Sequence, residues 1–272
     1  MIRDTLAGRW TDQSYLRGEQ YRDSGNLRAR MGLHERFSVN PYGWFRWVLD
    51  RLALPPGSRI LELGCGPGRL WLENADRCAA DWRLTLTDYS LGMAREAHDA
   101  VTRAVPQLRI TAANVDAQAL PFADAGFDAV IANHMLYHVP DRQRAFAEVR
   151  RVLRPGGRFC AATNGIRHLQ ELDALLAGTP LAEARPFTAL AFTLENGAGQ
   201  LAPIFPHITL ARYEDALVVT EAAPLLDYIR SMSAHAVIDH QALAATIAAH
   251  LARDGAIGIT KDTGMFVART GD

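Results

Sequence analysis

The stretch Ile60–Leu70, ILELGCGPGRL, sets a short apolar run against three glycines at alternate positions, Gly64, Gly66 and Gly68. An apolar run that ends in glycine reads as a buried strand turning sharply into a helix. Glycine enters the left-handed region without strain and lets a ligand approach the backbone. A plain strand-to-helix turn carries the same signature. The spacing is G-x-G-x-G, and the third glycine of the dinucleotide fingerprint would fall at Arg69, so the pattern departs from that of nicotinamide-binding folds.

Working outward, RILELG, RLTLTD, LRITAANVD, FDAVIAN and RFCAATN read as five short strands, separated by helix-length segments. Their apolar runs, rather than an alternation, predict strands buried on both faces of a parallel, doubly wound sheet. WFRWVLDRL (44–52) has Phe45, Val48, Leu49 and Leu52 at helical spacing and is stopped by LPPGS. RQRAFAEVRRVL is a helix with Phe146, Val149 and Leu153 on one face, stopped by RPGG. Residues 1–40 are polar, rich in Arg and Tyr, and show little period. After Gly165, RHLQELDALLAG, APLLDYIRSMSA and HQALAATIAAHLARDG read as helices, and ITLARYEDALVVT as one or two strands. AIGITKDTGMFVART has strand character around a turn.

Composition narrows the function classes. The 272 residues carry 29 Lys and Arg against 30 Asp and Glu, a net charge of −1, which offers no basic excess for nonspecific nucleic-acid binding. The three cysteines, Cys65, Cys78 and Cys160, are widely spaced and spell neither a disulfide framework nor a zinc knuckle. A start of MIRDTLAGRWTDQ lacks the apolar core of a signal peptide, and no stretch approaches a membrane span in length. The expectation is a cytoplasmic protein with no membrane partner.

Two acids follow the glycine turn. Asp88 ends the second strand about 20 residues on, where an acid can take ribose hydroxyls; it would also suit a helix cap. Asp116, in VDAQALPF, falls at the end of the third strand. A glycine turn and two acids at the carboxyl edge of one sheet favour a nucleoside-bearing ligand, because that edge is where open α/β sheets bind ligands.

LELGCGPG, TDYS, DAQALPF, FDAVIANHMLYHV and VLRPGG together resemble the class I S-adenosylmethionine-dependent methyltransferases, in the branch of UbiE/COQ5-like small-molecule enzymes. The resemblance covers residues 58–165. It implies a mostly parallel, Rossmann-like sheet of seven strands with an antiparallel last strand at GMFVART, and helical N-terminal and C-terminal cover elements. It implies one domain: a helical lid segment over 1–52, a cofactor-binding core over 53–165, and remaining strands with substrate-cover insertions over 166–272. By position, Gly64, Cys65 and Gly66 would sit under the methionine and ribose of S-adenosylmethionine, with Glu62 just behind. Asp88 would bind the ribose, Tyr89 would flank the adenine, Asp116 and the Ala117 amide would meet its edge, and Met93 would also belong to the cofactor site. The Asn133 carbonyl would take the methionine ammonium, and His138 would complete the cofactor side. The reaction would be in-line methyl transfer to an oxygen or nitrogen of an aromatic or partly apolar small molecule.

His134 and His138 stand four apart, but on a strand-to-helix loop with no acid or cysteine to complete a ligand set, so no metal is expected. His138 reads as scaffold. His134, just past the strand end, is the acid–base candidate, or else lines the pocket. Tyr15, Tyr21, Arg30, His34 and His168 are candidate substrate contacts, whereas Trp44, Phe45 and Trp47 are read as packing. Phe187, Phe192 and Phe205 would line an apolar pocket or pack the cover. TNGIRHLQEL is similar to a passage of rRNA guanine methyltransferases, but the zinc module of those proteins has no cysteine set here. An RNA methyltransferase and a non-catalytic cofactor-binding partner protein are the alternatives.

Overall fold

The computed structural model describes residues 25–177, 191–232 and 239–271. Seven strands form one sheet in the order β3-β2-β1-β4-β5-β7-β6. They are β1 (Arg59–Leu63), β2 (Arg83–Asp88), β3 (Arg109–Asn114), β4 (Phe127–Asn133), β5 (Leu153–Asn164), β6 (His207–Val219) and β7 (Ile257–Arg269). The pairs β1–β2, β1–β4, β2–β3 and β4–β5 are parallel. The last strand is antiparallel: Thr270 N donates to Gly157 O at one end of β5, and Gly165 N to Asp262 O at the other.

Contacts divide the chain into two compact units. The core unit comprises residues 42–164, 192–213 and 264–272, and it holds β1–β5. Its central strands are buried on both faces, as their unbroken apolar runs require. Leu61, Leu63, Val130, Ala132, Phe159 and Ala161 point into one apolar cluster. Ile60, Ile131, Cys160 and Ala162 point into the other. The helices of this unit are α2 (Trp44–Leu52), the single turn α3 (Arg69–Leu72), α4 (Leu91–Ala104), α5 (Arg142–Val152) and the short α7 (Gly197–Leu201). α2 buries Trp47, Val48, Leu49 and Leu52 and ends at Ala53 in the left-handed region; Trp47 takes the inner place that the spacing gave to Phe45. α4 and α5 are capped by Ser90 and Asp141, whose side chains accept from Met93 N and Arg144 N. Phe192 and Phe205 are buried with Phe146, Phe159 and Phe266. They are core rather than pocket lining, and Phe187 lies outside the described residues.

The second unit holds the described residues up to Pro41 together with those of 165–191 and 214–263. Its helices are α1 (Gly25–Phe37), α6 (Glu171–Leu175), α8 (Ala222–Met232) and α9 (His240–Asp254). Leu33, Phe37, Leu169, Leu217, Leu225, Ile229 and Ile247 are among its core.

Four local expectations are corrected. The weak period before residue 40 hides α1, whose inner face alternates apolar Leu33 and Phe37 with Arg30 and His34. RHLQELDALLAG is helical only at Glu171–Leu175, because Leu169 takes φ 57° and its N–H donates to Thr260 O. RPGG ends α5 but lies within β5, as an irregularity where the pairing jumps from Phe127↔Leu153 to Ala129↔Arg158. β7 runs unbroken through Asp-Thr-Gly with no turn. Gly264 serves close strand approach instead: a Cβ there would lie 2.5 Å from Ala211 O.

No described helix is long and apolar enough to cross a membrane. The three cysteines are free and buried.

A buried ion pair anchors the second unit. Asp215 Oδ2 accepts from Lys261 Nζ and Ser38 Oγ, and its Oδ1 accepts from Asn40 N at 3.0 Å and Ala216 N at 2.8 Å. Removing one partner of such a pair strands the other's charge. Lys261→Met should therefore lower the unfolding free energy by about 3–5 kcal/mol in urea titrations; a loss within experimental error would mean that water reaches Asp215.

Candidate functional site

The site is built at the carboxyl end of β1. Gly64, Gly66 and Gly68 all take positive φ, at 64°, 52° and 80°. Two of them are also held by close neighbours: a Cβ on Gly64 would lie 2.8 Å from Met135 Cβ, and one on Gly68 2.7 Å from Val101 Cγ2. The turn therefore needs glycine for space as well as for conformation.

Asp88 closes the turn. Its Oδ2 accepts from Gly66 N at 3.0 Å and its Oδ1 from Ser90 N at 2.8 Å. The cap of α4 is Ser90 rather than Asp88. An ionised carboxylate has about four acceptor sites, so Asp88 retains capacity for a further donor. Burial pushes its pKa up to about 6, against the opposing N–H groups of Ser90, Gly66 and Tyr89.

Beneath the turn, Glu62 is 2% exposed. Its Oε2 accepts from Trp71 Nε1 at 2.6 Å, and its backbone carbonyl accepts from Thr87 Oγ1 at 2.7 Å. Burial pushes this carboxyl up to about 8; the Trp71 N–H opposes the shift and the Asp88 carboxylate adds to it. Burial also raises the Cys65 thiol well above its usual range, and Asp88 and Glu62 add to that. Cys65 N donates to Thr87 O at 2.9 Å, so the loop is stitched to β2.

The next strand ends join this edge. Asn114 Nδ2 donates to the carbonyls of Asp88 and Tyr89 at 3.0 and 2.7 Å. Asp116 Oδ1 accepts from Gln118 N at 2.9 Å and from Gln118 Nε2 at 3.0 Å. Gln118 Oε1 in turn accepts from Asp141 N at 2.9 Å, at the cap of α5. Met93 and Ala117 are buried, and Tyr89 is half-buried.

Past β4, His134 takes φ 55° and its N–H donates to Ala162 O at 3.1 Å. A non-glycine residue held there is uncommon. Its ring lies 5.2 Å from that of Trp44, whose Nε1 donates to Asn133 Oδ1 at 3.4 Å. Trp44 stacks on Trp47 at 5.1 Å and meets Tyr213 edge-on at 5.4 Å. Met135 then covers Gly64, and a 3-10 turn spans Leu136–His138. His138 is half-buried, its ring 4.5 Å from that of Tyr137.

The structure thus brings together Glu62, Gly64, Cys65, Gly66 and Asp88 at one turn, and Asn133 and His134 at the end of the neighbouring strand. Within the second unit, His34 and His168 stack at 5.9 Å, and Tyr228 meets His34 edge-on at 5.9 Å. Arg30 Nε and Nη2 donate to Ser231 Oγ and O at 3.1 and 2.8 Å. Tyr15 and Tyr21 lie outside the described residues. Among the described residues, no group of three or more His, Cys, Asp and Glu is placed to hold a metal. Sequence reasoning missed Trp71, Asn114 and Gln118, and it took Trp44 for packing alone. Gln118, two residues after Asp116, had a local signal; Trp71 and Trp44 had none.

Residues 61–161 match the model of a family described as a methyltransferase domain. A 27-O-demethylrifamycin SV methyltransferase of Amycolatopsis mediterranei is 39% identical over 41% of this chain and 42% of its own length. A demethylmenaquinone methyltransferase of Beutenbergia cavernae is 35% identical over 52% of this chain and 58% of its own. The chain spans about half the length of these curated relatives. Among solved structures, Haemonchus contortus phosphoethanolamine N-methyltransferase 2 in complex with S-adenosyl-L-methionine aligns with a TM-score of 0.58 at 18% identity, over 100% of this chain and 60% of its own. At that identity the likeness is one of fold. The fold is the Rossmann-like fold seen in these methyltransferases.

Glu62 gives the site a pH signature. Its folded pKa of about 8 exceeds the ordinary value of 4.5, so the folded chain holds more protons there than the unfolded chain between those values. Stability from this group is full at low pH and is lost as pH rises through that window. Glu62→Gln should remove this loss. The stability of the variant relative to wild type should rise by up to about 1.4 kcal/mol per pH unit between pH 5 and 8, read from urea unfolding. Parallel pH curves for the two proteins would show that Glu62 is already ionised.

Proposed function

We propose that the chain is an S-adenosylmethionine-dependent methyltransferase that acts on a small molecule. The observation that carries this reading is the left-handed glycine turn closed by the Asp88 carboxylate, within the stretch that matches a methyltransferase-domain model. Relatives named for rifamycin and menaquinone precursors support a small-molecule acceptor, and a net charge of −1 gives no general pull on RNA. The acceptor atom we favour is an oxygen or nitrogen on an aromatic or partly apolar compound.

The residues present fit the cofactor. The turn carries no side chain at Gly64, Gly66 or Gly68, Asp88 has spare acceptor capacity for a diol, and nearby carboxyls suit a cation. Asp88 would hold the ribose hydroxyls, Asp116 and the Ala117 amide the adenine edge, and the Asn133 carbonyl the methionine ammonium. Tyr89 and Met93 would flank the ring, and His138 would support the loop. When bound, the cofactor supplies a methyl group already activated on a sulfonium. The protein's task is then alignment and exclusion of water. His134 would accept the proton that the acceptor loses, its ring orientation set by the strained backbone and by Trp44.

Asp88→Asn keeps the shape and removes the charge. It should weaken S-adenosylhomocysteine binding by about 1.5–3 kcal/mol, the worth of a hydrogen bond to a charged group. Wild-type affinity should also fall as pH drops below about 6, where Asp88 takes up its proton; the variant's should not. Calorimetry across that range checks both, and unchanged affinity in the variant would confine Asp88 to closing the turn.

His134→Ala should reduce turnover by roughly 10²–10⁴-fold while leaving cofactor affinity intact. It should also abolish the acid limb of the pH–rate profile on a confirmed acceptor. Retention of near-full turnover would remove proton transfer from its role.

A further inference from the structure

Three acidic groups, Glu62, Cys65 and Asp88, lie at the glycine turn, and no lysine, arginine or histidine is paired with Glu62 or Asp88 among the described residues. The groups that face Glu62 are few. From α3 comes the indole N–H of Trp71, from the end of β2 the Asp88 carboxylate, and from the turn the Cys65 thiol; Thr87 reaches only its backbone carbonyl. A carboxyl this buried, with one neutral donor and a like charge nearby, holds its proton near neutral pH. Trp71 can donate to the neutral carboxyl as well as to the ionised one, although it favours the ionised form. The group can therefore change charge without moving.

We infer that Glu62 is the residue by which the protein distinguishes the cationic cofactor from its neutral product. It carries a proton in the free protein and loses it to solvent when a sulfonium binds at the turn. It takes a proton back once the methyl has left and the sulfur, keeping the bonding pair, is a neutral thioether. This inference rests on the cofactor proposed above. Trp71 is a positioning residue in it, because its N–H fixes the carboxyl and favours the ionised form. The proton lost by the acceptor is a separate one. The consequence is directional: the free energy gained by pairing Glu62 with the sulfonium disappears on transfer, so the product is held less tightly than the cofactor.

The test is calorimetry of S-adenosylmethionine and S-adenosylhomocysteine in two buffers of different ionisation heat. The amino acid end is common to both ligands, so its protons cancel in the difference. At pH 7 the sulfonium ligand should release up to about one proton more than the thioether. Its affinity relative to the thioether should rise up to about tenfold per pH unit and level off above about pH 8. Glu62→Gln should abolish the difference in protons and flatten the ratio. Trp71→Phe should move the midpoint of the ratio to higher pH; a merely structural tryptophan would weaken both ligands alike and leave the midpoint in place. Infrared difference spectra of the wild type give an independent reading. The carbonyl band of a protonated carboxyl should vanish with the sulfonium ligand and persist with the thioether. Equal proton release for both ligands, a difference that survives in Glu62→Gln, or no change in that band would overturn the inference. Failure of the protein to bind either ligand would instead overturn the proposed function.

Discussion

The two backbone hydrogen bonds accepted by Asp88, from Gly66 and from Ser90, join the turn after β1 to the start of α4. Much of the site follows from that junction. Because Gly66 is drawn toward β2, the chain must leave β1 through left-handed positions, which only glycine takes without strain. Cys65 N reaches Thr87 O from the same turn, and Asn114 fastens the carbonyls of Asp88 and Tyr89 to β3. Three parallel strands thus end in register, tied by one bond between main chains and by the Asp88 and Asn114 side chains bonding to main-chain groups. A ligand bound there meets a rigid edge rather than a loop that must first be ordered.

The parts of this arrangement that were legible in the sequence are those that local chemistry dictates. Apolar runs without alternation announced strands covered on both sides, and the opposed sets Leu61, Val130, Phe159 and Ile60, Ile131, Cys160 bear that out for β1, β4 and β5, whereas β3, at the edge of the sheet, is largely exposed. The glycine spacing and the acid ending β2 could be read because turn geometry and strand length place them whatever the rest of the chain does. The same logic misled at Asp-Thr-Gly before Met265. The triplet looks like a turn, yet in β7 the glycine answers a neighbouring backbone that the sequence does not reveal.

What could not be read were pairings between distant residues. Nothing in their separation of nine positions says that Trp71 will donate to Glu62, although a buried carboxyl needs some donor. Trp44 has the right spacing to pack α2, and only the fold shows it also touching His134 and Asn133. His34 and His168 were singled out separately, and their stacking is a fact of the second unit's packing. Each is an interaction whose partner is set by topology, and propensity carries no information about it.

Two buried carboxylates in this chain receive opposite treatment, and the contrast separates stability from function. Asp215 accepts from a lysine, a hydroxyl and two backbone N–H groups, and these hold its pKa down despite burial. Glu62 is as deeply buried but is given one indole N–H, and burial drives it to about 8. A fold selected for stability alone would not keep an under-supported acid next to a second one, since an apolar residue of similar size there would remove the strain of burying a charge. The asymmetry has a physical use where a cation arrives from outside and supplies the partner that the fold withholds. On the function proposed above, the missing counter-charge at Glu62 would be supplied by the ligand, whereas the set around Asp215 is complete within the fold.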